Sequence, residues 1–216
     1  MFWMQLHCIQ NIPSPMKMTS TDQILILVTA LLASYQIVVG IDGLGTIPIT
    51  AYTIAFGALL VAMLLMIILG FGVLNSPIVV IVSTIIPLAL SLGLVWEYLA
   101  PYRTSYLLFT ITGFAAIIVT RYLPIPGRLP TFVLAVVHGV AGLTIFLLPS
   151  ILAADGSMRP GFALVGLGGA MIGLGGLLLS FLKAGKPVLP HETILKVLPS
   201  LFMLMTACFV AGFKLG

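Results

Sequence analysis

The chain has 216 residues, of which 61% are hydrophobic and 6% are charged. In an ordinary soluble domain about a quarter of the residues are charged. So few charges cannot cover a water-soluble surface, and the apolar residues run in long stretches rather than in the alternation of an outer-membrane barrel, so we expect an all-α integral membrane protein. The formal charge of +4 comes from residues scattered through short loops, which indicates membrane orientation and lipid headgroup contact rather than nucleic-acid binding.

Residues 1–22 are predicted to form a peripheral amino-terminal tail. They lack the basic start and apolar core of a cleaved signal peptide. Cys8 in this tail and Cys208 in the last apolar segment are expected at different depths, so we predict no disulfide between them. Residues 23–216 are predicted to form a single transmembrane helical domain.

Seven apolar segments follow in chain order, and each is long enough to cross a bilayer as a helix. Turn-forming residues separate them, such as Asp42 and Gly43 after the first segment and Asn75 to Pro77 after the second. The sequence therefore predicts a polytopic bundle of about seven helices. The predicted spans are 23–41, 51–71, 78–98, 104–120, 131–151, 161–182 and 193–213.

The basic residues are unevenly divided between the two sides of such a bundle. The side that holds the amino terminus carries six of them, and the opposite side carries three. Because basic residues concentrate on the cytoplasmic side, we predict the amino terminus in the cytoplasm, the carboxyl terminus outside, and the cytoplasmic (plasma) membrane as the location. The first group is Lys17, Arg121, Arg128, Lys183, Lys186 and Lys196; the second is Arg103, Arg159 and Lys214.

Two polar residues at or within the spans are candidate binding residues. Glu97 lies between Trp96 and Tyr98 at a span end, where amphipathic rings favour the membrane interface, so it is interpreted as part of an anchor, with a functional carboxylate as the alternative. The side-chain amide of Gln36 is polar, so its contact with lipid would be unfavourable. We expect it to face another helix or a cavity.

His138 is the one ionisable side chain that the predicted spans place deep in the membrane, about 10 Å below the cytoplasmic interface. Three roles stay open: a neutral histidine bonded to a neighbouring helix, a single axial ligand to haem or chlorophyll, and a contact for a proton or solute. His191 lies at the mouth of the last span, too shallow to form a second haem ligand with His138. The sequence therefore requires no cofactor and predicts no metal site.

The sixth span contains Gly-Leu-Gly-Gly twice, and its small residues form a stripe at steps of three and four. In lipid such a stripe lets two helix backbones approach closely and gain dispersion contacts. The element that packs against this stripe is predicted to be a helix of the same chain. The alternatives are a partner subunit and a flat lipid or pigment. The stripe consists of Gly166, Gly169, Gly173, Gly176 and Ser180.

No catalytic set is recognisable, so we predict that the protein is not an enzyme. Neither a nucleophile with its base nor an HExxH pattern occurs. Lys196 and Lys214 lie at the two ends of the last span, which excludes a retinal Schiff base at its middle. The carboxylates that ion-coupled carriers need near the midplane are instead expected at the interfaces; they are Asp42, Glu97, Asp155 and Glu192.

The preferred hypothesis is a non-catalytic multi-pass subunit or scaffold of a larger membrane assembly, which packs through the glycine-rich sixth helix. Its expected partners are membrane lipid and either other membrane subunits or further copies of itself. One alternative is a small permease or channel for an uncharged solute that uses Gln36 and His138. The other is a redox or pigment-binding subunit with His138 as a single axial ligand.

Overall fold

The computed structural model describes residues 17–123, 127, 129–183 and 189–216, without the side chains at 75, 77–80 and 180–183. It is 88% helical, and the described residues form no strand. Seven of its helices are long and apolar enough to cross a membrane. The expected all-α chain with seven such helices is therefore confirmed, and the helices indicate an integral membrane protein.

Each predicted span corresponds to one helix. The largest shift is at the second, which begins at Thr46 rather than at 51 because Pro48 fits the first helical turn, where its missing N–H is not needed. Short 3₁₀ turns occupy Gly70–Asn75, Ala100–Tyr102 and Pro160–Phe162. The helices are α1 Ser20–Val39, α2 Thr46–Leu69, α3 Pro77–Tyr98, α4 Arg103–Tyr122, α5 Leu129–Ala154, α6 Ala163–Lys183 and α7 His191–Leu215.

The first helix starts within the segment expected to be a tail. The Thr19 hydroxyl accepts a hydrogen bond from the Asp22 N–H (3.2 Å), and the Asp22 carboxylate accepts one from the Thr19 N–H (2.9 Å). This reciprocal capping box satisfies two backbone donors at the start of α1. The amino-terminal cap of α1 thus lies at Thr19, while residues 1–16, including Cys8, lie outside the described residues.

Six helices form a closed ring, and the seventh packs outside it. Around the ring, contacts run from α1 to α2, α3, α5, α6 and α7, and then back to α1. The buried interior is largely apolar and draws on every helix of the ring, with Phe56 of α2 and Phe209 of α7 fully buried. α4 lies outside, against α3 and α5, and has the lowest buried share of the seven helices.

Helices that follow one another along the chain run antiparallel, so the ring neighbours α3 and α5, and likewise α1 and α7, run parallel. Tyr52 packs on Phe213 with ring centroids 4.8 Å apart, and Phe56 packs edge-on against Phe209, so α2 and α7 have opposite directions. Tyr106 donates to the Thr144 hydroxyl (3.3 Å), joining α4 to α5. The end of the bundle where α4 finishes and α5 begins is called the α4–α5 end below; α1 also starts there.

Candidate functional site

Gln36 lies near the end of α1 and is 6% exposed. Its amide nitrogen donates to the Gly40 carbonyl at 2.8 Å. Beside it is a cavity of about 10 Å³ shared with α2 residues such as Tyr52 and Thr53, room for about one water molecule. Gln36 thus faces a helix and a cavity, as its polarity predicts, but the cavity is too small for a solute larger than water.

His138 lies nine residues after the start of α5, on the helix face that continues to Ile145 and Pro149. Ile145 is fully buried, so this face points into the bundle. The His138 Nδ1 atom is buried and has no hydrogen-bond partner among the described residues. The main-chain carbonyl of Leu134, one turn earlier, lies near the ring but not in position to accept from Nδ1.

Gln36 and His138 do not share a site. α1 contacts α2 and α7, whereas α5 contacts α3, α4 and α6, so the two helices lie on opposite sides of the ring. Gln36 is also close to the far end of its helix, while His138 is in the half of α5 nearer the α4–α5 end. The residues that the permease hypothesis combines are therefore separated.

Glu97 lies one residue before the end of α3 and is partly buried. Next to it, the Arg103 guanidinium lies 5.9 Å from the centroid of the Trp96 ring and donates to the Trp96 carbonyl. This stacking and hydrogen bond tie the start of α4 to the end of α3. The arrangement is typical of an interfacial anchor. A binding role for Glu97 stays a prediction.

The first half of the small-residue stripe packs within the chain. A Cβ atom at Gly169 would lie 2.9 Å from the main-chain nitrogen of Phe146 on α5, and one at Gly166 would lie 2.8 Å from the Phe146 carbonyl oxygen. Real side-chain atoms do not come that close. These two glycines therefore allow the backbones of α5 and α6 to touch.

The second half of the stripe is open. A Cβ atom at Gly173 would have no described atom within 4 Å, and the same holds for Gly139 and Gly142, which continue the face of α5 that packs on α6. Since Gly169 lies against Ile145 and Phe146, the antiparallel register places Gly173 level with residues 141 and 142. The two helices thus diverge toward the α4–α5 end and leave a wedge between them, named here the glycine cleft and defined by Gly139, Gly142 and Gly173.

Gly176 is exposed one turn beyond Gly173, and the Ser180 side chain lies outside the described side chains. The predicted helix-packing set therefore divides into an intrachain pair, an exposed pair and one position that the structure does not describe.

A second glycine pair was missed in the sequence. Gly168 faces the Phe209 ring and Gly175 faces Leu201, so both lie against α7. They are the third residues of the two Gly-Leu-Gly-Gly repeats, and their spacing of seven is itself a helical stripe. The repeat could therefore have been interpreted as two faces, one for α5 and one for α7.

Arg121 was interpreted as a topogenic charge only. It is the second-last residue of α4, and its buried Nε atom has no hydrogen-bond partner among the described residues. α4, which carries Arg121, packs against α5, which carries His138. Nothing in the sequence spacing of 121 and 138 indicates that these two helices are neighbours.

Among the described residues, no three histidine, cysteine, aspartate or glutamate side chains are placed to hold a metal ion. Comparisons with protein-family models, curated proteins and solved structures give no match.

Proposed function

We propose that the protein is a non-catalytic multi-pass subunit or scaffold of a larger membrane assembly, and that the open half of the α6 stripe is the surface on which a helix of another subunit or of a second copy docks. Nearly all of the described chain is in helices that could cross a membrane. That leaves little mass outside the bundle to form a separate domain.

The glycine cleft carries this proposal. Gly166 and Gly169 show how closely a helix approaches this stripe when one is present, because their backbones contact α5 directly. Gly173 continues the same stripe without such a neighbour, and the adjacent Leu174 and Leu177 are 50% and 55% exposed. In lipid, a small-residue groove flanked by leucines favours close helix association through dispersion contacts.

In the proposed arrangement the α4–α5 end faces the cytoplasm and the carboxyl terminus lies outside, in the plasma membrane. The uneven distribution of lysine and arginine supports this orientation.

Identification of what co-purifies in a mild detergent tests the proposal. We expect a stoichiometric membrane polypeptide or a stable homo-oligomer. A stable monomer with no associated polypeptide would contradict it.

Cross-linking locates the interface. A photo-reactive thiol reagent is attached at Gly173→Cys in a Cys8→Ser, Cys208→Ser background, with Leu31→Cys as control because Leu31 is 60% exposed on α1, away from α6. Cross-links from position 173 that are absent from position 31 are expected. Equal yields from both positions would indicate random collision and refute the assignment of the surface.

The two other hypotheses have direct tests of their own. The separation of Gln36 from His138 gives the permease hypothesis no geometric support. An absorption spectrum of the purified protein tests axial ligation, since a visible band lost in His138→Ala would identify the ligand.

A further inference from the structure

The cavity beside Gln36 lies between the end of α1 and the start of α2, at the end of the bundle opposite the α4–α5 end. Gln36 is three residues before the end of α1, and Thr53 is seven residues after the start of α2, so the cavity is roughly 5–10 Å from these helix ends. Both residues line it, together with apolar side chains such as Ile49 and Phe56. Its volume of about 10 Å³ is about the room that one water molecule needs.

The side-chain amide of Gln36 has hydrogen-bonding positions that the protein does not fill. The amide offers two N–H donors and an oxygen that can accept two hydrogen bonds. One N–H donates to the Gly40 carbonyl at 2.8 Å, and the amide makes no other hydrogen bond with the described residues. Because Gln36 is 6% exposed, bulk water cannot supply all the remaining partners, and burial without them is unfavourable.

Thr53 also has a hydroxyl group that the protein leaves without a partner. A threonine hydroxyl within a helix commonly donates to a carbonyl of the preceding turn, and that of Thr50 does so at 2.8 Å. The Thr53 hydroxyl makes no hydrogen bond with a described residue. It is therefore free to bond a molecule in the cavity that it lines. The intrahelical bond of Thr50 recurs at Thr29, Thr110, Thr112, Thr120, Thr144 and Thr206.

We propose that this cavity binds one ordered water molecule, which bridges the Gln36 amide of α1 to the Thr53 hydroxyl of α2. A buried water typically makes about three hydrogen bonds to polar groups that would otherwise be unsatisfied. The Gly40 carbonyl, which also lines the cavity and has a second lone pair, is the third partner.

The lining suits water better than a metal cation of similar size. No aspartate or glutamate is among the residues that line the cavity. A cation would therefore lie in largely apolar surroundings without a counter-charge, which is costly. Water needs both donors and acceptors, and the amide and the hydroxyl each provide both.

The bridge gives Gln36 a role in an otherwise apolar segment. A water-mediated hydrogen bond is nearly as favourable in enthalpy as a direct one. The water thus ties the end of α1 to the start of α2 beside the loop that connects them, at a place where the two polar side chains have no printed bond to each other.

A crystal structure of the detergent-purified chain at a resolution that shows water tests the site. We expect one density peak in the cavity, about 2.7–3.2 Å from the Gln36 amide and from the Thr53 hydroxyl oxygen. Gln36→Met, with a side chain of similar length and no amide, should lose the peak. An empty cavity in the unaltered protein, or an unchanged peak in Gln36→Met, would overturn the proposal. So would an anomalous signal at this position in crystals grown with rubidium in place of sodium, because the site would then hold a cation.

A double-mutant cycle in mixed micelles tests the bridge in solution. Gln36→Met and Thr53→Val each break it, so the double variant should change the equilibrium constant of unfolding about fivefold less than the product of the two single changes, the factor for about one hydrogen bond. Thr50→Val, whose parent hydroxyl is already bonded within α2, should combine with Gln36→Met additively. Additive effects of Gln36→Met and Thr53→Val would overturn the bridge. If Gln36→Met does not fold, a crystal of Thr53→Val, altered at an exposed position, must show the water displaced or absent.

Discussion

Replacement of Gly169 by alanine tests the packing of α6 most sharply. The added Cβ would lie 2.9 Å from the carbonyl carbon of Ile145 and from the main-chain nitrogen of Phe146, and these atoms cannot rotate away. Ordinary contacts begin at about 3.4 Å, so α5 and α6 must separate by about 0.5 Å. A gap of that size forfeits roughly a quarter of the dispersion energy of each affected contact.

The expected cost follows from two opposing terms. Overpacking costs about 1–3 kcal/mol, and the higher helix propensity of alanine returns up to about 1 kcal/mol. We therefore expect Gly169→Ala to lower the free energy of unfolding by about 1–2 kcal/mol. Gly173→Ala is the matched control, because no described atom lies within 4 Å of its Cβ position; it should be neutral or slightly stabilising in the isolated chain.

Reversible unfolding in mixed micelles, followed by circular dichroism, measures both variants. The assignment of one half of the stripe to α5 and of the other half to an open cleft would be refuted by either of two results. One is a Gly169→Ala variant with an unchanged free energy of unfolding; the other is a Gly173→Ala variant whose free energy of unfolding is lowered by the same amount.

Three further predictions concern single interactions. Thr19→Ala should cost about 1 kcal/mol and speed hydrogen exchange at the first turn of α1, whereas Thr50→Ala, whose hydroxyl donates to a carbonyl within its own helix, should leave that turn unchanged. Tyr106→Phe loses the bond to Thr144 and should destabilise the bundle by about 0.5–1 kcal/mol in the same unfolding assay; Tyr122→Phe, at a site 68% exposed, is the control, and equal effects would be inconsistent with the role of Tyr106. The Ser157 N–H donates to the Asp155 carboxylate at 2.9 Å and lowers the pKa of Asp155. Because the folded pKa is the lower one, this stabilisation is present above the unfolded pKa and is lost as the pH falls through the folded pKa. An NMR titration of Asp155 should show the lowered pKa, and a normal pKa would argue against the turn.

Much of the fold follows from the sequence because hydrophobic length and turn residues act locally. Seven apolar segments with polar breaks predict seven helices, and each predicted span corresponds to one described helix. The differences arose where one residue type serves two purposes: Pro48 normally interrupts a helix but lies in the first turn of α2, and Thr19, within the segment expected to be a tail, caps α1.

The site was less predictable because it depends on which helices become neighbours. Gly166 and Gly173 occupy the same stripe and have the same local sequence, yet only the crossing of α5 and α6 decides that one is covered and the other open. His138 was recognisable as an ionisable residue in an apolar segment. The packing of its helix against α4, in contrast, results from the position of α4 outside the ring, which no local pattern specifies.

The central claim, an oriented bundle with seven crossings, is tested most directly by locating the two ends of the described chain. Lys17→Cys and Gly216→Cys, each in a Cys8→Ser, Cys208→Ser background, are exposed in intact cells to a membrane-impermeant thiol reagent. Labelling at 216 from outside, with labelling at 17 only after the membrane is opened, is the expected result. Labelling of both positions from the same side would require an even number of crossings and contradict the account.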